Sequence, residues 1–257
     1  MLWATTWVGS NHYGFRMSEH SATAFFDSWR TYGKVISANY MHHREIQADI
    51  ERVLRAQFSD RPFSFLDLGC GDAATLAPVL AHMQLQRYTG VDLSESALAL
   101  ATENLKTLGC QVELECRDVL AALGTETRRF DVVYTSYALH HLSADQKGEF
   151  FRRVALRLAK DGIMLVTDVM REENESLPIY VERYCHWLRQ DWNALDAEEK
   201  SSLCDHILNN DRPETFSDLR ALAQAAGLGA TTAVARYGWH RVVCFRPAGE
   251  PASHQGQ

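Results

Sequence analysis

Residues 65–74, with the sequence FLDLGCGDAA, constrain the fold of this chain more than any other stretch. The run Phe63–Leu68 is short and apolar apart from Ser64 and Asp67, which is typical of a buried strand. Gly69 and Gly71 end this run, and apolar residues at helical spacing follow. Because glycine has no Cβ, the turn can tighten and a ligand can approach its backbone. The stretch therefore predicts a strand, a ligand-binding turn and a helix.

Asp67 discriminates between the ligands that such a turn can bind. A carboxylate at this position would repel a phosphate group, whereas it would attract a ligand that carries a cation. The rival interpretation is a dinucleotide site, since Gly69, Gly71 and Ala74 satisfy the G-x-G-x-x-G/A pattern and Asp92 lies about 20 residues further on. A glycine turn that only connects a strand to a helix is the plain structural alternative.

Strand and helix patterns alternate along the middle of the chain. The predicted strands cover residues 63–68, 88–92, 111–116, 130–135 and 163–168, and two more at 230–236 and 241–246 close the chain as a hairpin. This alternation predicts an α/β fold with a doubly wound parallel sheet and helices on both faces. Ligands of such sheets bind beyond the carboxyl ends of the strands.

Acidic residues follow three successive predicted strands. Asp67, Asp92 and Asp118 lie at the ends of the first, second and third strands. Each alone could be a helix N-cap, but three in register indicate a shared site. The dinucleotide interpretation gives no role to Asp67. The DLGCGDA motif, taken with these acids, resembles the first motif of the class I S-adenosylmethionine (SAM)-dependent methyltransferases, over about residues 63–246.

This resemblance implies a Rossmann-like seven-stranded sheet with a reversed C-terminal hairpin strand, N-terminal helices and a helical cap inserted after strand five. It also implies SAM as cofactor and S-adenosylhomocysteine as product. Asp92 would bind the ribose hydroxyls, Leu93 would lie beside adenine, and Asp118 with the Val119 N–H would read the base edge. The complete predicted cofactor set is Asp67, Gly69, Cys70, Gly71, Asp92, Leu93, Asp118, Val119 and Thr135.

The chain divides, on the same interpretation, into segments with different roles. Residues 1–60 form an N-terminal arm with lid helices, 61–170 the cofactor-binding core and 171–212 the cap. Residues 213–247 return to the core with a helix and the closing hairpin, and 248–257 form a flexible tail. One helix is predicted over residues 34–58, with Tyr40 and His43 on or beside its apolar stripe.

Histidines and tyrosines dominate the candidates for substrate chemistry. The predicted catalytic residues are Tyr40, His43, His140 and His141, and the predicted substrate-binding residues are Tyr13, Arg16, Asn39, Tyr184 and His206. For a histidine on an apolar helix face, ordinary core packing is the alternative. His140 and His141 follow strand four, where either could act as a general base. The histidines do not combine with acids at a recognisable ligand spacing, so the sequence predicts no metal site.

The N-terminal segments YGFR and WRTYGKVISANYMHHREI are similar to methyltransferase domains of the ovothiol type. This second resemblance implies methylation of an imidazole nitrogen in a thiolated or selenated histidine. O- or N-methylation of another small metabolite stays open, as does a non-catalytic SAM-binding regulator. The segment after strand four lacks the Asn/Asp-Pro-Pro-Tyr/Phe motif of amide and amino-base methyltransferases.

Composition narrows the partners and the compartment. The net charge of −7 and the pI of about 5.9 argue against a nucleic-acid or anionic-membrane surface. No apolar run reaches the ~18 residues of a membrane span, and no signal-peptide pattern is present at the N-terminus. The six cysteines lack a C-x-x-C pair and indicate buried free thiols in a reduced cytoplasmic protein. The sequence does not indicate an oligomeric state.

Overall fold

A seven-stranded mixed sheet forms the centre of the computed structural model, which describes residues 30–248. Its strands are β1 (Phe63–Leu68), β2 (Leu85–Asp92), β3 (Gln111–Cys116), β4 (Phe130–Ser136), β5 (Leu158–Val169), β6 (Ala230–Tyr237) and β7 (His240–Arg246). Their order is β3-β2-β1-β4-β5-β7-β6, and β7 runs antiparallel to both of its neighbours. The predicted Rossmann-like sheet with a reversed hairpin strand is confirmed.

The register of the central strands brings three loops to one edge of the sheet. Leu68 at the end of β1 pairs with Val91 of β2 and with Thr135 of β4. Every residue of β1 is buried, as expected for a central strand with helices on both faces. The loops that follow β1, β2 and β4 therefore lie side by side at the carboxyl edge.

Helices cover both faces of the sheet. They are α1 (residues 30–37), α2 (His43–Phe58), α3 (Ala77–Leu80), α4 (Glu95–Asn104), α5 (Val119–Thr125), α6 (Ala144–Arg157), α7 (Leu177–Asp191), α8 (Ala197–Asn210) and α9 (Phe216–Ala225). The interior is split into two hydrophobic clusters, one containing residues of α2, α3, α7 and α8 and the other residues of α5, α6 and α9. The helix predicted after the glycine turn is α3, which is only four residues long. The backbone of the turn, rather than a long helix, therefore forms this part of the carboxyl edge of the sheet.

The single helix predicted over residues 34–58 is wrong. Residues 38–42 form a turn between α1 and α2, in which Asn39 and His42 have positive φ angles of 57° and 56°. Asparagine tolerates this left-handed conformation better than most residues. Its side chain accepts a hydrogen bond from the Arg44 N–H and donates one to Glu45. Periodicity alone did not reveal the break, which places Tyr40 in the turn.

The helical segment after β5 packs on the same side of the sheet as α2. Helix α7 has a proline in its first turn, and a capping box between Asp196 and Glu199 starts α8. Tyr180 and Tyr184 of α7 share one hydrophobic cluster with Ile50 of α2. None of the helices within residues 30–248 combines the length and the apolar character that a membrane span requires.

Candidate functional site

The glycine turn and the end of β2 are joined through the carboxylate of Asp92. This carboxylate accepts hydrogen bonds from the Gly71 N–H at 2.8 Å and from the Ser94 N–H at 2.9 Å. Gly69 and Gly71 both have positive φ angles, of 79° and 55°, which favour glycine over any other residue. Asp92 is buried, and each of its oxygens retains a lone pair for a further donor. A polar cradle is thus built from backbone and one acid.

Asp67 is a buried carboxylate that is only half satisfied by the described residues. The Tyr88 hydroxyl donates to Asp67 Oδ2 at 2.8 Å, whereas Oδ1 is buried without a hydrogen-bond partner. Burial raises the pKa of Asp67 to about 7, against the lowering effect of the Tyr88 hydrogen bond and with a further increase from Asp92. An unpartnered buried acceptor next to a second acid fits a cationic ligand group.

The remaining predicted cofactor residues lie along the same edge in different environments. Leu93, directly after Asp92, is 53% exposed. Asp118 is the N-cap of α5, where it accepts from the Ala121 N–H, and Val119 is the first residue of that helix. The Thr135 hydroxyl donates to the Leu68 carbonyl and so joins the ends of β4 and β1. Cys70 is a buried free thiol in the turn.

A cavity of about 90 Å³ lies between the end of β4, helix α1 and helices α7 and α8. Most of its lining is apolar or aromatic: Tyr32, Val35, Met41, Tyr137, Val169, Tyr180, Tyr184, Leu188, Trp192, Leu203 and Ile207. The rest of the lining is a polar group formed by His140, His141, His206 and Asp211. An apolar cavity with a few convergent polar groups is typical of a small-molecule site.

The polar end of the cavity is an arrangement of histidines and aspartates. Nδ1 of His140 makes a short hydrogen bond to Asp168, whose other oxygen accepts from the His140 N–H. One oxygen of Asp211 lies 3.7 Å from His140 Nε2, 3.5 Å from His141 Nδ1 and 3.7 Å from His206 Nε2. Burial raises the pKa of Asp211 to about 6.

The protonation preferences of these histidines differ. Burial lowers the pKa of His206 to about 4 and that of His141 further still. Burial also opposes a charge on His140, but Asp168 and Asp211 overcome this effect and its pKa is raised. His141 and His206 are therefore neutral at pH 7.

His240 connects the cavity wall to the closing hairpin. Tyr137, at the end of β4, donates from its hydroxyl to the Met41 carbonyl, so this oxygen can accept from His240 Nδ1 at 3.1 Å. The other ring nitrogen, Nε2, then accepts from the Tyr184 hydroxyl at 3.3 Å. This pattern assigns the proton of the neutral ring to Nδ1. Two cavity tyrosines are thus held by one buried histidine.

Tyr40 and His43, which were predicted to act on the substrate, lie behind the cavity wall. Tyr40 stacks on Trp192 with ring centroids 4.9 Å apart, and its hydroxyl accepts from the Ala194 N–H. His43 packs against Tyr137, and neither of its ring nitrogens has a hydrogen-bond partner within residues 30–248. Burial lowers the pKa of His43 to about 4. Asn39 stabilises the turn described above, whereas Tyr13 and Arg16 lie outside the described residues.

Three site residues were not singled out from the sequence. His240 bonds to Tyr137 across 103 residues, and Asp211 follows α8, far along the chain from His140. Asp168 lies near the end of β5, which pairs with β4. The rule that ligands bind at strand ends could have identified Asp168, but no local pattern indicates His240 or Asp211.

Comparisons with known proteins agree with this geometry. Residues 65–162 match the family described as methyltransferase domain. A carboxy-S-adenosyl-L-methionine synthase from Idiomarina loihiensis is 27% identical over 56% of this chain, and the match spans only 61% of that relative. A synthase of the same name from Campylobacter concisus is 21% identical over 76% of this chain and 81% of its own length.

The fold has a counterpart among solved structures. The DhpI structure, a complex with S-adenosylhomocysteine (SAH), superposes with a TM-score of 0.56 at 17% identity over 86% of this chain and 95% of DhpI. At this identity the likeness concerns the fold. The sheet order agrees with that fold, and the glycine turn and the strand-end acids lie within the segment, residues 65–162, that is similar to the methyltransferase domain family.

Proposed function

We propose that this protein is an enzyme that transfers a methyl group from SAM to a small polar metabolite. The favoured nucleophile is a ring nitrogen, such as the imidazole of a thio- or selenohistidine. The observation that carries the proposal is the buried Asp67 carboxylate, whose unpartnered oxygen lies at the edge formed by the glycine turn and Asp92. The six free cysteines favour a reduced, cytoplasmic setting.

Each residue of the cradle has a role in holding the cofactor. Asp67 would pair with the α-amino group, and Asp92 would accept from the ribose hydroxyls. Leu93 would cover adenine, while Asp118 and Val119 would contact its edge. Bound SAM would supply a methyl group on a sulfonium, whose carbon an aligned nucleophile would attack while the S–CH3 bond breaks and SAH departs. The protein contributes by positioning the acceptor and excluding water, which can supply ~7–11 kcal/mol.

The cavity favours a small acceptor with a flat ring. Tyr137, Tyr180 and Tyr184 provide flat apolar surfaces, and the Tyr180 hydroxyl has no hydrogen-bond partner among the described residues. Neutral His141 and His206 would not repel a cationic product. A neutral imidazole already has a free lone pair at pH 7, so orientation would matter more than proton removal.

Replacing Asp92 with alanine should weaken SAH binding about 10- to 100-fold. A hydrogen bond to a charged group contributes ~1.5–3 kcal/mol, and this variant also removes the acceptor that fixes the Gly71 and Ser94 N–H groups. Calorimetric titration with SAH is the measurement. Glu95→Ala is the matched control, because it removes an exposed carboxylate three residues away. Equal affinity of the two variants would contradict the role of Asp92.

Tyr40→Phe and His43→Ala should lower turnover and leave SAH affinity within about twofold of the wild type. Tyr40→Phe removes the hydroxyl that accepts from the Ala194 N–H beside Trp192, and His43→Ala removes the ring that packs on Tyr137, so both changes loosen the cavity wall. Steady-state rates with a methyl acceptor and calorimetry with SAH separate the two effects. His186→Ala, on the exposed side of α7, is the control and should retain full turnover. A parallel loss of SAH affinity would show that these residues belong to the cofactor site.

Assays with labelled SAM distinguish the alternatives. Label transfer to imidazoles supports the favoured acceptor, and transfer only to phenols or amines indicates another metabolite. The relatives named carboxy-SAM synthase motivate a third readout, mass analysis of the SAM pool for a carboxylated product. Within the described lining no lysine or arginine is available for an acidic co-substrate, which favours methyl transfer. SAH binding without any product would indicate a regulator.

A further inference from the structure

Asp211 brings together side chains that the methyl-transfer proposal does not require. Ligand atoms of His140, His141 and Asp211 all lie within 4.8 Å of one another. The Asp211 oxygen is buried without a hydrogen-bond partner among the described residues, and so are both ring nitrogens of His141. Its 3.5 and 3.7 Å separations from the two rings are too long for good hydrogen bonds. Three potential ligands thus converge without satisfying one another.

These separations are close to those expected around one metal ion. Zinc binds histidine nitrogen and carboxylate oxygen at ~2.1 Å, so that ligand atoms in a tetrahedral shell lie ~3.4 Å apart. The two separations from Asp211, 3.7 and 3.5 Å, are within a few tenths of an ångström of this value, and the ligand atoms of the two histidines lie no more than 4.8 Å apart.

The surroundings of His140 provide a second, independent indication. Asp168 binds Nδ1 of His140, which leaves Nε2 directed to other partners, among them Asp211. A histidine that ligates a metal typically donates its other ring nitrogen to a carboxylate in this way. His206 extends the group, with Nε2 at 3.7 Å from the same Asp211 oxygen.

We propose that His140, His141 and Asp211 form a binding site for a divalent transition-metal ion, with Zn²⁺ as the best-matched ion. Three protein ligands leave coordination positions for water or for a nitrogen, oxygen or sulfur atom of the acceptor. Since the same three residues line the cavity, an ion bound there lies within reach of an acceptor. This last role rests on the proposed function, whereas the site itself does not. The inference replaces the sequence-based prediction of no metal.

The test is direct metal binding by tag-free protein that has been stripped with a chelator. Equilibrium dialysis against Zn²⁺ should give one ion per wild-type chain, and Co²⁺ should give a visible absorption band. His141→Gln and Asp211→Asn should each lower Zn²⁺ affinity at least about 100-fold. Asp168→Asn, which removes the carboxylate behind His140, should lower it about 10- to 100-fold. His186→Ala removes an exposed histidine and should bind like the wild type.

Two results would overturn the site. One is wild-type protein that retains no Zn²⁺. The other is equal Zn²⁺ binding by the wild type and by folded His141→Gln and Asp211→Asn variants, with folding checked by circular dichroism. Because no SAM is added, failure here leaves the cofactor proposal untouched. The cofactor proposal would instead be refuted if the wild-type protein did not bind SAH.

Discussion

Replacing Asp67 with asparagine is expected to weaken SAH binding by more than about 100-fold. Removal of one partner from a buried ion pair costs ~3–5 kcal/mol, because the cation of the ligand is then left without a counter-charge. Asparagine keeps the size of the side chain, so the Tyr88 hydroxyl retains an acceptor. Calorimetry at pH 7.5 is the measurement. An affinity within tenfold of the wild type would place the α-amino group elsewhere.

Asp67→Asn should also differ from the wild type in how its SAH affinity depends on pH. The pKa of Asp67 is about 7 in the ligand-free protein, and only the ionised form pairs with an ammonium. Wild-type affinity should therefore fall by about tenfold per pH unit below pH 7, whereas that of Asp67→Asn should stay flat. Tyr88→Phe removes a hydrogen bond that lowers the pKa of Asp67, so it should move the onset of this loss to higher pH.

Stability should respond in the opposite direction to binding. The pKa of Asp67 is raised above its unfolded value near 3.9, so its contribution to stability is present below pH 4 and is lost as pH rises through 7. Asp67→Asn cannot lose this contribution. Urea unfolding at pH 5 and pH 8 should show that the variant gains stability relative to the wild type at the higher pH. If the stability difference between the variant and the wild type is the same at both pH values, burial does not raise the pKa of Asp67.

Replacing Gly69 with alanine should destabilise the fold by about 2–5 kcal/mol and abolish SAH binding. A left-handed conformation costs alanine ~1–2 kcal/mol, and Gly69 has a φ of 79°. The new Cβ would also lie 2.7 Å from Cβ of Ala138, and overpacking of this kind costs ~1–3 kcal/mol. Urea unfolding with calorimetry measures both effects.

Substitutions at two other glycines separate the cost of the left-handed conformation from the cost of the contact with Ala138. Gly238 has a φ of 60° with no heavy atom within 4 Å of an added Cβ, so Gly238→Ala should show the conformational cost alone. Gly109 has open space and no positive φ, and Gly109→Ala should be nearly neutral. If Gly69→Ala is no more destabilising than Gly238→Ala, the contact with Ala138 is not restrictive.

The sequence predicted correctly those elements whose structure depends mainly on neighbouring residues. Strand β1 was identified at its observed bounds, because a strand buried on both faces is a continuous apolar run. Asp67 and Asp92 were identified because they end adjacent strands. The break at Asn39 and His42 was missed, since the apolar spacing continues across it and the turn is stabilised by side-chain hydrogen bonds.

The contacts among the residues that line and surround the cavity could not be predicted to the same extent. Asp211 meets His140 only because α8 folds back over the end of β4, and His240 reaches Tyr137 only because β7 inserts beside β5. Both contacts depend on tertiary packing of segments that lie far apart in sequence. The histidines themselves were predicted as candidates. Their acidic partners, Asp168 and Asp211, come close to them only through the tertiary fold.

The hydrophobic cluster shared by the cap and the sheet has a consequence for how the acceptor range of this protein can evolve. Leu203 of α8, Ile50 of α2 and Phe65 of β1 belong to one continuous interior. A segment packed in this way cannot be exchanged as a module without exposing apolar surface. New specificity must therefore arise through single replacements within the cavity, and each replacement is constrained by the stability of the whole chain.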